Sequence, residues 1–156
     1  MGKRYPEPRH FYPRNPQKYK GDPTQIIMRS SWETRFAHWA DTNPSIVAWN
    51  SERVLIPYIS PRDGRQHTYY VDFWVEVRNR AGETKSYLIE IKPLKECFPP
   101  DYSSAKRHPP MQKILEEELT YKVNQAKWDS AKRFARQRGA EFMVLTEREL
   151  GLERRR

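Results

Sequence analysis

The chain has 156 residues, 29 of them Lys or Arg against 20 Asp or Glu, for a net charge of +9 with histidine neutral. That length suits one domain with its own core, and the positive excess points to a polyanion as partner, nucleic acid first. The single cysteine, Cys97, excludes an intramolecular disulfide, and no apolar run approaches the ~20 residues that a membrane span needs.

Residues 1–23 read as an irregular basic arm. Lys3, Arg4, Arg9, Arg14, Lys18 and Lys20 alternate with Tyr5, Phe11, Tyr12 and Tyr19 among five prolines. Such a segment can lie on phosphates and stack bases, or pack on the domain or a partner. The domain proper is expected over residues 24–150. Its first element is a helix over residues 29–41, capped by Ser30 or Ser31, with Trp32, Phe36, Trp39 and Ala40 at helical spacing. Glu33 lies at the edge of that apolar stripe, where a carboxylate either looks inward or serves the helix dipole as a first-turn acid.

Ile46 to Ile59 reads as one strand, Tyr69 to Val77 as a second and Ser86 to Pro93 as a third. Residues 93–110 form a long proline-broken loop directly after the third strand, of the kind that is functional or mobile. Residues 111–138 carry a helical pattern stopped by Gly139. Leu115, Leu119, Val123 and Ala126 take core spacing there, beside a stripe of Trp128, Ala131 and Ala135. Asn124 and Lys127 stand one turn apart on this helix, placed either to meet a DNA backbone or as a solvated pair. Glu141 to Thr146 is a last strand, and residues 151–156 form a basic tail ending in Arg154, Arg155 and Arg156. His10, His38, His67 and His108 have no ligand spacing, and Cys97 lacks an organised His and acid partner, so neither zinc nor thiol chemistry is expected.

The second and third strands carry the chemistry. Alternation puts Val71, Phe73, Val75 and Val77 on one side and Asp72 and Trp74 on the other, and in the third strand groups Leu88, Glu90 and Lys92. The link 78–85 is polar and holds Gly82. If Asn79 pairs with Glu83 across a three-residue loop, with Gly82 left-handed, Asp72 falls opposite Glu90. A two-residue loop separates them onto opposite faces. Two carboxylates and an ammonium on one face suit a hard divalent cation, Mg²⁺ with Mn²⁺ as substitute, held by Asp72, Glu90 and the backbone carbonyl of Ile91. Lys92 is placed to position the attacking water or offset phosphate charge.

The order α-β-β-β-α-β, with Glu33 on the first helix, Asp72 on the second strand and Glu90-Ile91-Lys92 on the third, resembles the PD-(D/E)xK nuclease superfamily. Val71 stands where the superfamily's proline is expected. Tyr19 to Thr24, Arg29 to Glu33, Val123 to Trp128 and Phe142 to Glu147 resemble the head-completion nucleases of T-even-type tailed bacteriophages. Lys127-Trp128, Ala131 and Thr146-Glu147 are also similar to the endonuclease subunit of Tn7-like transposons.

The resemblance implies an α/β, restriction-endonuclease-like core with a mixed central sheet flanked by helices. It further implies a Mg²⁺-dependent DNA nuclease acting on packaged DNA before head-tail joining, with Glu33 supporting a ligand water or second metal and Asn124 and Lys127 on the DNA. Expected partners are DNA and phage head or neck proteins, with no membrane and no nucleotide cofactor. The expected location is the host cytoplasm during assembly, and the virion. The alternatives are a noncatalytic DNA-binding or head-tail structural protein that kept the fold, and a transposon or junction endonuclease subunit.

Overall fold

Strands that alternate polar and apolar residues assemble here into one central sheet and two side ribbons. The computed structural model describes residues 4–152. Its elements are β1 (Arg4–His10), β2 (Ile27–Ser30), α1 (Ser31–Thr42), β3 (Ile46–Ser51), β4 (Leu55–Ile59), β5 (Gln66–Tyr70), β6 (Phe73–Arg78), β7 (Thr84–Ile91), α2 (Met111–Gln137) and β8 (Glu141–Leu145). The central sheet runs β3-β6-β7-β8. Its pairs are antiparallel except β7 with β8, which are parallel and joined through α2, as a parallel pair requires a long crossover. The central elements therefore keep the expected order, α1-β3-β6-β7-α2-β8, in a mixed sheet flanked by helices.

Alternation along β7 supplies both faces of that sheet. Ile89 joins Phe36, Ala37, Ala40, Trp49, Phe73 and Val75 under α1, whereas Leu88 joins Ile56, Tyr69, Val71, Trp128, Ala131 and Ala135 under α2. Trp49 and Phe73 are almost wholly buried, and each such side chain contributes roughly 1.5–3 kcal/mol through its removal from water.

The structure corrects four expectations. The segment 46–59 is two strands in different sheets, turned apart at Glu52, whose φ of 54° is left-handed. The segment 69–77 likewise breaks at Val71 and Asp72, because β4 and β5 pair with each other as a ribbon packed on α2. Val71 consequently belongs to the α2 core and Phe73 to the α1 core, not to one common side. On α2, Leu115 is 57% exposed and Ile114 takes the buried place, since the first turns of the helix overhang the sheet.

The fourth correction is the arm, whose stretch Arg4–His10 is a strand and not irregular. β1 pairs antiparallel with β2 despite Pro6 and Pro8, which an edge strand bonded on one side tolerates. Farther on, the buried Asp41 accepts the backbone N–H groups of Arg14 at 2.8 Å and Asn15 at 3.0 Å. Tyr19 enters the core, its ring centroid 4.8 Å from that of Trp49 in an edge contact. Lys3 and the residues Arg154, Arg155 and Arg156 lie outside the described residues.

Candidate active site

The β6–β7 hairpin fixes the site through its turn. Asn79 N–H donates to Glu83 O at 2.9 Å, Gly82 N–H donates to Asn79 O at 3.0 Å, and Gly82 has a φ of 82° that suits a residue without Cβ. This is the three-residue loop. Its register runs from Arg78 opposite Thr84 to Phe73 opposite Ile89, and Asp72 and Glu90 are the next residues along the two chains.

Each carboxylate is held by a donor of its own. Asp72 Oδ2 accepts the backbone N–H of Ile91 at 2.8 Å, which ties the break before β6 to the end of β7. Glu90, 8% exposed, accepts the phenolic O–H of the buried Tyr69 through Oε2, while its Oε1 lies 3.9 Å from Lys92 Nζ. From α2, Lys127 Nζ stands 5.7 Å from the ring centres of both Tyr58 and Tyr69, within electrostatic reach of Glu90 and Asp72. Asn124, one turn earlier, is buried. Neither belongs to a solvated pair.

Glu33 serves the start of α1. Its carboxylate accepts the backbone N–H of Arg29 at 2.6 Å, and its own N–H donates to Ser30 Oγ at 3.2 Å, a variant of the reciprocal capping box. Burial raises the pKa of its half-buried carboxyl, and its charge in turn raises that of Asp72.

The electrostatics are those of crowded like charges. Burial, and then the charge of Glu90, push the Asp72 carboxyl well above the usual carboxylate range. Burial also raises Glu90, against the opposing effects of Tyr69, Lys92 and Lys127. Burial lowers the Lys127 ammonium, although Glu90 favours its charged form. Two enclosed carboxylates that repel each other fit a divalent cation between them. Among the described residues no group of three or more His, Cys, Asp and Glu side chains is placed to hold a metal ion. Asp72 and Glu90 are the two carboxylates that could hold one.

Tyr69 is the residue that sequence reasoning passes over. Continuous alternation along Tyr69 to Val77 places it away from Asp72, and only the break at Val71 and Asp72 turns its hydroxyl toward Glu90. Cys97 is a thiol whose pKa burial raises, with its Sγ toward the Pro93 carbonyl oxygen at 3.6 Å, which disfavours the thiolate.

A mixed sheet between two helices, with opposed carboxylates and a lysine at the end of one hairpin, is a restriction-endonuclease-like arrangement. The chain belongs to the TnsA-like endonuclease N-terminal family, whose model matches residues 43–147. Among its relatives is the head completion nuclease of Enterobacteria phage T4, 39% identical over 137 residues that span 88% of this chain and 89% of the relative. No solved structure matches the chain significantly.

Proposed function

We propose that this protein is a Mg²⁺-dependent deoxyribonuclease that hydrolyses phosphodiester bonds of packaged phage DNA as a head is completed, before it joins a tail. The observation that carries the reading is the Asp72 carboxylate held by the N–H of Ile91, the residue after Glu90, with Lys92 Nζ 3.9 Å from Glu90 Oε1. Family membership and the head completion relative support it, and the net charge of +9 suits a DNA partner.

Asp72 and Glu90 hold the ion, with the Ile91 carbonyl as a further ligand and Mn²⁺ as a substitute. When bound, the ion supplies an activated water and neutralises phosphate charge. Tyr69 holds one oxygen of Glu90 and so orients the other toward the site. Lys92 positions the attacking water and offsets charge on the phosphate. Glu33 orients a ligand water or a second metal from the α1 side, and Asn124 and Lys127 meet the DNA backbone from α2. Head or neck proteins are the proposed assembly partners, in the host cytoplasm and then in the virion.

The test is one gel with supercoiled plasmid and linear DNA, in Mg²⁺ or in EDTA. Cleavage in Mg²⁺ alone is expected, with nicking separated from end degradation by the products. Binding without cleavage in any divalent ion would leave a structural DNA-binding protein on a nuclease fold.

A further inference from the structure

Beside the carboxylate pair lies a cavity of about 180 Å³ whose walls include Arg4, Arg29, Trp32, Glu33, Ile91 and Pro93. Two of these walls are shared with the site. Ile91 N–H donates to Asp72 Oδ2 at 2.8 Å, and the charge of Glu33 acts on Asp72. The other walls come from the β1–β2 ribbon and the first turn of α1. Register sets Arg4 opposite Ser30, the residue that caps α1. Arg29 is anchored by its Nε, 3.1 Å from Glu52 Oε1, so the terminal nitrogens of its guanidinium carry donors in the fork geometry that matches a phosphate. Trp32 is partly exposed and offers a flat apolar wall, and Pro93 adds a second.

Two guanidinium groups and an indole around a small cavity make a pocket for one nucleotide, since arginine suits a phosphate and an aromatic face suits a base. We propose that this cavity takes the nucleotide next to the scissile phosphate of a DNA strand, with Arg4 and Arg29 on its phosphate and Trp32 stacked on its base. The proposal rests on the nuclease reading and extends it to a substrate class. A base that stacks on Trp32 has left its stack in the duplex interior, which costs least in single-stranded or frayed DNA. The pocket thus favours strand ends and unpaired segments over the interior of a duplex.

The test uses the full chain in EDTA, where DNA is bound and not cut, with a fluorescently labelled single-stranded oligonucleotide followed by anisotropy. Trp32→Ala is expected to weaken binding about tenfold, within the range for loss of one base–aromatic stack, and Arg4→Ala to weaken it severalfold through loss of a phosphate contact. Trp32→Phe recovers most of the affinity and abolishes the quenching of tryptophan emission that oligonucleotide causes in the unmodified protein. Lys132→Ala, exposed on α2, binds as the unmodified protein does. If Trp32→Ala fails to fold by circular dichroism, Arg4→Ala and the quenching of Trp32→Phe decide the matter. Undiminished binding by Arg4→Ala, or undiminished quenching in Trp32→Phe, overturns the pocket. Plasmid cleavage in Mg²⁺ is measured beside it: its absence overturns the nuclease reading while the binding comparison still judges the pocket.

Discussion

Tyr69 donates its phenolic hydrogen to Glu90 from a strand that does not belong to the central sheet. The β4–β5 ribbon leaves the sheet at the break before Asp72, and that departure gives a buried carboxylate its donor. Tyr69→Phe removes only the hydroxyl. It is expected to cost about 1–3 kcal/mol of stability, the penalty for a buried acceptor left unmade. Glu90 should also lose orientation, so that more Mg²⁺ is needed for half-maximal cleavage. If calorimetric Mg²⁺ affinity and cleavage both match the unmodified protein, Tyr69 is only a packing residue.

The metal ligands themselves should be far less tolerant. Asp72→Ala or Glu90→Ala is expected to lower cleavage by at least about a hundredfold, because water activation and charge neutralisation are lost together. Folding should persist, since each change removes a group that repels its neighbour. Near-normal cleavage by either purified variant contradicts the assignment.

The same repulsion predicts an unusual dependence of stability on pH. Asp72 and Glu90 both have folded-state pKa values raised by burial, so just above the ordinary carboxylate range the folded protein holds protons that the unfolded chain has released. Their contribution to stability is fully present below the ordinary carboxylate range and is lost as pH rises through the raised values. In EDTA, Tm is therefore expected to fall as pH rises from about 5 toward neutrality, and Mg²⁺ should restore it. Asp72→Asn keeps an oxygen for the Ile91 N–H while removing the charge. At pH about 7 it should raise the Tm of the metal-free protein and flatten the slope. A steeper slope, or a lower Tm for Asp72→Asn, would count against this account.

Lys92 tests chemistry apart from metal binding. Lys92→Ala should abolish most cleavage while calorimetric Mg²⁺ binding largely persists. Lys92→Arg should rescue poorly, because a planar fork does not reproduce a compact ammonium. Normal cleavage by both variants would make the lysine a surface residue.

The opposition of Asp72 and Glu90 was legible because it depends on local turn chemistry. A polar link with glycine at its third loop position admits few hairpins, and one of them phases the two carboxylates. The helices were legible for a similar reason, from Ser30 at one end of α1 and Gly139 beyond α2. What alternation could not reveal was where a strand changes sheets. Tyr69 to Val77 reads as one continuous pattern, yet Val71 and Phe73 pack on different helices, and nothing local marks the break. The arm was obscured by composition, since Pro6 and Pro8 argue against a strand and only the partner β2 makes an edge strand there. The place of Lys127 beside Tyr58 and Tyr69 came from the ribbon on α2, a contact that no helical periodicity encodes.

The packing of the arm changes how its part in DNA binding must be tested. Deleting residues 1–17 would remove β1, the pairing partner of β2, and would strip from Asp41 the two backbone donors at 2.8 and 3.0 Å. Asp41 is 1% exposed in the intact chain, so the deletion would also uncover it and the core beside it. The deletion is therefore expected to lower Tm sharply, and its reduced DNA affinity would not distinguish direct binding from unfolding. Single changes at exposed basic positions separate the two. Arg9→Ala and Lys20→Ala should leave Tm nearly unchanged, and each phosphate that a variant no longer neutralises should make the slope of log affinity against log salt shallower by about 0.9 on duplex DNA. A slope identical to that of the unmodified protein in both variants would place the arm against the domain or a protein partner, and would move the DNA track to α2 and the 93–110 loop.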